Sequence, residues 1–244
     1  MLHTKIVLSG YEEKSNFSNV IKIDNVLSTA KKGDMIIAYS YSASLILNSS
    51  KLSSCQAIVI LINPFFEPKT YTIDSLYISI KNNSKEAFRK FIFNCTKGAN
   101  NNKSNFIKLT SLFNNNFIPS IENLCLGLDD LKKIYKADKD ISYTKNVHII
   151  QSYHDQINSL DKFTQLKKNK ISTHMLENSP HYPFFEFKKI YDIIKKILLR
   201  KKLLNRFLSE LVAMMIIHLF KKMLTKDYLI DLTLSSMIKN ICLR

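Results

Sequence analysis

The feature that most constrains the fold of this 244-residue chain is a series of short apolar runs of strand length, each closed by a turn or a polar residue. Runs that are apolar at every position are typical of parallel strands, because these are buried on both faces beneath helices. Helical patterns separate the runs, which favours an α/β protein with a mostly parallel sheet and flanking helices. The predicted strands are Lys5 to Leu8, Asn19 to Ile23, Met35 to Ala38, Gln56 to Ile62, Val147 to Ile150 and Ser172 to Leu176, and the predicted helices beside them are Val26 to Ala30, Ser42 to Leu47 and Lys188 to Leu199.

Residues 65–135 show no obvious strand and carry charged helical segments instead. The segments are Asn83 to Lys97 and Cys125 to Tyr135, with an Asn-rich stretch at 100–105 between them. The sequence therefore predicts a helical insertion between two parts of one sheet, within a domain of residues 1–199.

A C-terminal tail, residues 200–244, follows the predicted sheet domain. Its segment Leu203 to Phe220 is apolar and helical in pattern, but Arg206, Glu210 and His218 interrupt it. A membrane span needs about 18 or more uncharged apolar residues in a row, and no window of this sequence reaches that length. We expect a helix at an interface or against a partner rather than a membrane span.

The chain is strongly basic, with 36 Lys and Arg against 20 Asp and Glu, a formal net charge of +16. Such a charge attracts nucleic acid, anionic lipid or an acidic protein, but a Lys surplus also occurs on an ordinary solvated surface. Its four cysteines form no CxxC pair, which argues against a zinc cluster or a dense disulfide framework. The N-terminal apolar run is too short for a signal peptide, so we expect a soluble cytoplasmic protein.

A candidate nucleophile lies in Ala38-Tyr39-Ser40-Tyr41-Ser42, between a predicted strand and a predicted helix. A nucleophile elbow of the type G-x-S-x-G needs small residues two positions either side of the serine, because the turn is sharp. Ala38 and Ser42 meet that requirement without glycine. The alternative is that Ser40 is an ordinary helix N-cap, a role that Ser42 or Ser44 would fill equally well.

Two further polar residues follow the late strands in the order that a serine nucleophile of this kind requires. Asp155 comes after the strand at Val147 to Ile150, and His181 after the strand at Ser172 to Leu176. Open α/β sheets build their sites at the carboxyl ends of strands, and the order Ser, Asp, His is that of a nucleophile, its orienting carboxylate and its base. Taken alone, a histidine such as His181 is more often a surface residue or a hydrogen-bonded core residue than a catalytic one.

Several motifs resemble those of the α/β-hydrolases. They are Leu8-Ser9-Gly10-Tyr11, the elbow at 38–42, the segment 149–155 and, most specifically, Ser179-Pro180-His181-Tyr182-Pro183-Phe184-Phe185. Within that superfamily they look most like the biotin-pathway esterases that hydrolyse pimeloyl-acyl-carrier-protein methyl ester, and the resemblance covers about residues 4–199. Four positions depart from the pattern: Ser9 stands where His or Asn is usual, Tyr11 and Tyr39 where Trp is usual, and Ser42 where Gly is usual.

The resemblance implies an α/β-hydrolase fold with a helical cap at about 65–135, acting as a carboxylesterase without metal or cofactor. Ser40 would be the nucleophile, His181 the base and Asp155 the orienting acid, with the backbone N–H groups of Tyr11 and Tyr41 forming the oxyanion hole. The side chains of Tyr11, Tyr41 and Phe91 would contact the acyl chain.

The same resemblance implies a binding partner for the basic insertion. Acyl carrier protein is acidic, so Lys85, Arg89 and Lys90 would dock it, and we expect a monomer that binds no nucleic acid. Phe88 and its neighbours fit equally well as the core face of an amphipathic helix. Two alternatives remain open from the sequence: another serine esterase or thioesterase on the same fold, or a catalytically degenerate basic binding protein.

Overall fold

The computed structural model of the chain describes residues 4–7, 19–66, 70–98, 101–116, 121–135, 146–158, 163 and 172–200. Five strands form one parallel sheet in which each strand lies beside its neighbours in the chain. Residues 201–244, nearly all of the predicted tail, lie outside the described residues. In the spatial order of the sheet the strands are β1 (Thr4–Val7), β2 (Met35–Tyr39), β3 (Ile58–Ile62), β4 (Val147–Ser152) and β5 (Ser172–Leu176).

Six helices accompany the sheet in the described part of the chain. They are α1 (Asn19–Thr29), α2 (Ser40–Asn48), α3 (Thr70–Thr96), α4 (Asn102–Asn116), α5 (Ile121–Tyr135) and α6 (Phe187–Arg200). Short 3₁₀ turns at Leu52–Ser54 and Pro183–Glu186 complete the secondary structure.

Alternate residues of β2, β3 and β4 enter two separate cores, which is why these strand sequences are largely apolar. One face packs against α1, α2 and α5, and the other packs against α6. Along α6 the buried residues Ile190, Ile194, Ile197 and Leu198 recur every three or four positions, the spacing of a helix face. The predicted parallel sheet with flanking helices is therefore confirmed. The strand residues on the first face are Ile36, Ala38, Val59, Leu61, Val147 and Ile149, and those on the second are Met35, Ile37, Ile58, Ile60, Ile62 and Ile150.

The carboxyl ends of four strands lie along one edge of the sheet. Tyr39 is opposite Ile62, Ile62 is opposite Ile150, and Ser152 is opposite Leu176. Because all the strands are parallel, the chain leaves each strand at this edge. The segments that follow β2, β3, β4 and β5 therefore meet there.

The prediction of a strand at Asn19 to Ile23 is wrong, because these residues form the start of α1. Ile23 and Leu27 lie four positions apart and Ala30 three further on, and all three are buried in the core that includes α2. A five-residue apolar run has the same pattern in a strand and in a buried helix turn. Packing against α2 selects the helix.

The insertion between β3 and β4 consists of α3, α4 and α5, and the described residues there contain no strand. Asn83 has non-helical angles and divides α3 into two parts. Its side-chain oxygen accepts the N–H of Glu86 at 3.1 Å, which is how a helix N-cap acts. The helix predicted to begin at Asn83 is thus the second half of α3.

The Asn-rich stretch at 100–105 is not a separator, because α4 already begins at Asn102. Asparagine is a weak helix former, but tertiary packing overrides this preference. Leu109 is buried and Phe106 partly buried against Ile92 and Cys95 of α3. None of the helices described here is long and apolar enough to cross a membrane.

Candidate active site

Ser40 occupies the turn between β2 and α2 with a strained backbone. Its φ of 52° lies in the left-handed region, which residues with a Cβ seldom adopt and which clusters at functional sites. The side chain does not cap the helix: Tyr39 is the N-cap residue and makes no side-chain cap hydrogen bond, while Ser40 Oγ lies 2.8 Å from Nε2 of His181. The structure therefore does not support the N-cap interpretation of Ser40.

The neighbours of Ser40 show why the turn needs small side chains. Ala38 and Ser42 are both buried, so a larger residue at either position would meet the sheet or the helix. Ser44 Oγ donates to the Ser40 carbonyl at 2.8 Å and accepts the N–H of Phe65 at 2.7 Å. Ser44 was singled out by the sequence only as a possible cap, whereas in the structure it joins the elbow to the segment after β3.

His181 bridges Ser40 and Asp155 and is itself fully buried. Its Nδ1 lies 2.8 Å from Oδ2 of Asp155, and its Nε2 faces Ser40. Because an ionised carboxylate only accepts hydrogen bonds, Nδ1 carries a proton, and in the neutral imidazole Nε2 then presents its lone pair to the Ser40 hydroxyl. This is the protonation state that a general base requires before it takes a proton.

Asp155 is held in its ionised form by a dense set of donors. Burial raises the pKa of this carboxyl, but His181 and the backbone N–H groups of Ile157 and Asn158 outweigh it and hold the pKa below its usual value. Oδ1 accepts those N–H groups at 2.8 and 3.1 Å. Oδ2 accepts the side-chain amides of Gln151 and Asn158, both at 3.0 Å. Asp155 is therefore ionised at neutral pH and able to stabilise a positively charged imidazole.

Comparisons with known proteins identify the fold that carries these three residues. No protein-family model matches the chain and no curated protein matches its sequence, but solved structures do match. BpoC from Mycobacterium tuberculosis has a TM-score of 0.58 at 11% identity, covering 77% of this chain and 76% of its own. An esterase from Exiguobacterium antarcticum has a TM-score of 0.53 at 11% identity, covering 73% of this chain and 72% of its own. The chain has the α/β-hydrolase fold.

A third structure, BioG from Haemophilus influenzae, has a TM-score of 0.49 at 16% identity and covers 72% of this chain and 75% of its own. This likeness is too distant to bear on the substrate. In this α/β-hydrolase fold the three residues come from the carboxyl ends of β2, β4 and β5. One fold supports many activities, so the function depends on the residues of the site.

Two aromatic rings lie beside His181 in this α/β-hydrolase fold. The Phe65 ring and the Tyr39 ring each lie 5.5 Å from the imidazole, measured between ring centroids. Burial raises the pKa of the hydroxyls of Tyr39 and Tyr182 and of the Cys95 thiol. All three groups are neutral at physiological pH, so Cys95 is not an activated nucleophile.

Asn63, directly after β3, is a site residue that the sequence reasoning missed. It was interpreted only as the end of a strand, yet it is fully buried and has a left-handed φ of 47°. Its side-chain nitrogen donates to the His181 carbonyl at 2.6 Å and to Ser152 Oγ at 2.9 Å, while its side-chain oxygen accepts the Ser152 N–H at 2.7 Å. A polar residue between a strand and Pro64 was the only signal available in the sequence.

The structure describes two of the three residues that were predicted to form the oxyanion hole or contact the acyl chain. Tyr41 is the second residue of α2, and its side chain is buried and donates to Oδ2 of Asp130 on α5 at 3.0 Å. Phe91 is partly buried against Ile92 and Cys95. Tyr11 lies outside the described residues. Contact of Tyr41 and Phe91 with an acyl chain stays a prediction.

The three residues predicted to dock an acidic partner are exposed on the second half of α3. Lys85 and Lys90 are exposed, and the exposed guanidinium of Arg89 lies 6.0 Å from the centroid of the Phe106 ring. Within the part of the chain that is described, no three His, Cys, Asp or Glu side chains come together as a metal site.

Proposed function

We propose that this protein is a serine carboxylester hydrolase. The observation that carries the proposal is the unbroken chain from Ser40 Oγ to His181 Nε2 at 2.8 Å and from His181 Nδ1 to Asp155 Oδ2 at 2.8 Å. The strained φ of Ser40 supports it, since such strain persists only where surrounding structure enforces it.

The reaction follows from these contacts. His181 Nε2 takes the Ser40 proton as Oγ attacks the ester carbonyl, and the ionised Asp155 stabilises the imidazolium that results. The backbone N–H groups of Tyr41 and Tyr11 hold the negative oxygen of the tetrahedral intermediate. His181 then gives its proton to the departing alcohol, the C–O bond to that alcohol breaks, and a water activated by His181 releases the acid from Ser40.

For the substrate, we propose the methyl ester of pimeloyl-acyl-carrier protein, which would give the protein a step in biotin biosynthesis. Its support is the resemblance carried by His181-Tyr182-Pro183-Phe184-Phe185 and the exposed cations Lys85, Arg89 and Lys90. An acidic carrier protein is the kind of partner that clustered exposed cations attract. Methanol would be the alcohol released, and Phe91 would contact the acyl chain.

The test of hydrolase chemistry is labelling of Ser40 by a fluorophosphonate, located by mass spectrometry. Wild-type protein should be labelled stoichiometrically at Ser40, and His181→Ala should be labelled only at a small residual rate. Ser42→Ala, in the same turn but with no hydrogen bond to His181 among those the structure describes, is the matched control and should still be labelled. A folded wild-type protein that is not labelled would overturn the proposal in favour of a degenerate binding protein.

The test of substrate compares three compounds of equal acyl length. They are the acyl-carrier protein that bears a terminal methyl ester, a free p-nitrophenyl ester, and the acyl-carrier protein without the methyl ester, in which only the thioester to the carrier can be cleaved. The proposal expects the highest kcat/KM for the carrier-protein methyl ester. A preference for the thioester, or no gain from the carrier protein, would replace this substrate with another one on the same catalytic residues.

A further inference from the structure

Asn63 is placed where three elements of the site meet. It follows β3 directly, contacts the end of β4 through Ser152, and reaches across to the main chain of His181 after β5. Its own backbone N–H donates to the Ile150 carbonyl at 2.9 Å. Asn63 is thus fixed to the sheet at both its backbone and its side chain.

The hydrogen bond to His181 acts on the backbone, not on the ring. Both ring nitrogens of His181 are already used, one toward Ser40 and the other toward Asp155. Where these nitrogens lie depends on where the main chain of residue 181 is held, and the Asn63 amide donates to that main-chain carbonyl at 2.6 Å. Asn63 has no hydrogen bond to Ser40 itself among those the structure describes.

The conformation of Asn63 supports a dedicated role. A left-handed, fully buried residue that is not glycine costs strain, and asparagine is one of the few side chains that tolerate this region. Asn178, in the turn before His181, has a similar φ of 54° but is exposed. The left-handed backbone is therefore common to both turns, whereas the buried amide contacts belong to Asn63.

We propose that Asn63 is a positioning residue: its side-chain amide fixes the His181 main chain so that Nε2 stays within hydrogen-bond distance of Ser40 Oγ. This inference rests on the proposed serine hydrolase function. Through the bond to the main-chain carbonyl Asn63 acts on His181, and removing its side chain lets the imidazole move relative to Ser40. A displacement of about 1 Å in a catalytic group can lower the rate by about 10²-fold.

The decisive variant is Asn63→Gly, which keeps the left-handed backbone without strain and removes the amide. Asn178→Gly is the matched control, since it changes the same residue type at the same backbone conformation without touching the site. The rate of fluorophosphonate labelling at Ser40 should fall about 10²-fold in Asn63→Gly and stay at the wild-type value in Asn178→Gly. Equal rates in Asn63→Gly and wild type would overturn the inference while leaving the serine hydrolase intact.

A double-variant cycle separates positioning from a general structural effect. In a His181→Ala background Asn63→Gly should cause no further loss of the residual labelling rate, because the group through which Asn63 acts is gone. A further loss of the same size in that background would overturn the inference. Absence of labelling in the wild type is a different result, because it removes the proposed function itself.

Asn63→Asp is the second variant, and it separates loss of the donated hydrogen bond from loss of the fold. An ionised aspartate keeps the shape and the acceptor for the Ser152 N–H but has no proton to donate to the His181 carbonyl. It should show the slow labelling of Asn63→Gly with a native circular dichroism spectrum, and a wild-type rate would count against the role of the donated hydrogen bond. Failure of both Asn63 variants to fold, where Asn178→Gly folds, would assign Asn63 to fold stability and overturn the proposal.

Discussion

The Phe65 ring stacks on the His181 imidazole, with centroids 5.5 Å apart and planes inclined by 26°. Phe65 is also tied to the elbow, because its N–H donates to Ser44 Oγ, which in turn donates to the Ser40 carbonyl. Ser40 and His181 are therefore linked a second time, through a residue after β3. In the proposed mechanism, a ring face against the imidazole also favours the positive charge that His181 would gain.

The first prediction concerns this stacking. Phe65→Leu keeps an apolar side chain but loses the ring face, so labelling of Ser40 by a fluorophosphonate should slow about three- to tenfold, the range expected for loss of one aromatic pair. Phe66→Leu is the control, because Phe66 faces Phe163 at 6.2 Å rather than His181. Equal effects of the two substitutions would mean that the stack does not act on the base.

The second prediction concerns Ser44. Ser44→Ala removes the hydrogen bond that joins the buried Phe65 N–H to Ser44 Oγ and should lower the free energy of unfolding by about 1–3 kcal/mol, measured by urea denaturation. Labelling of Ser40 should slow as well, because the Ser40 carbonyl loses a hydrogen bond that fixes the turn. Ser42→Ala removes a buried hydroxyl two residues away and provides the comparison. A Ser44→Ala protein as stable and as reactive as wild type would show that the two hydrogen bonds of Ser44 contribute neither to stability nor to the reactivity of Ser40.

The strands and the elbow were predictable because they depend on local sequence. Uninterrupted apolar runs identify buried parallel strands, and the carboxyl ends of such strands meet at one edge, which places Asp155 and His181 near Ser40 before any coordinates are known. The helix at Asn19 was missed because a short apolar run is ambiguous, and α4 because packing overrides the low helix propensity of asparagine.

The supporting residues of the site were not predictable in the same way. Asn63 contacts Ser152 and His181, which are 89 and 118 residues away in the chain. No local pattern encodes a contact across that distance. Such a residue carries a sequence signal only as a polar side chain at the end of a buried strand, and that signal does not name its partners.

The third prediction tests the carrier-protein partner. Lys85→Glu/Lys90→Glu should raise KM for the carrier-protein ester about tenfold or more at low salt, because opposite charges steer this kind of encounter. The difference in KM between this variant and wild type should become smaller as the salt concentration rises. Hydrolysis of a free p-nitrophenyl ester should be unchanged. Arg89 is left in place because its guanidinium also packs against Phe106.

The control for this experiment is Lys188→Glu/Lys196→Glu, which makes the same change in net charge. Both lysines are exposed on α6, the helix on the other face of the sheet. If the two double variants raise KM equally, only overall charge matters and the α3 surface is not the docking site.

The fourth prediction follows from the lowered pKa of Asp155. A carboxyl whose pKa is lower in the folded than in the unfolded state stabilises the fold above its unfolded pKa, about 3.9 for aspartate. That contribution is lost as the pH falls through the folded pKa. The difference in free energy of unfolding between wild type and Asp155→Asn should therefore be constant from pH 7 to about pH 5 and shrink below about pH 4.

Activity of the same variant gives a second measurement of the Asp155–His181 contact. An asparagine at 155 cannot hold the Nδ1 proton as a carboxylate does, so kcat for ester hydrolysis should fall by about 10⁴ while the fold persists at neutral pH. Urea unfolding from pH 7 to pH 3 supplies the stability difference. If that difference does not change with pH, or if Asp155→Asn retains wild-type kcat, then Asp155 is not the ionised partner of His181.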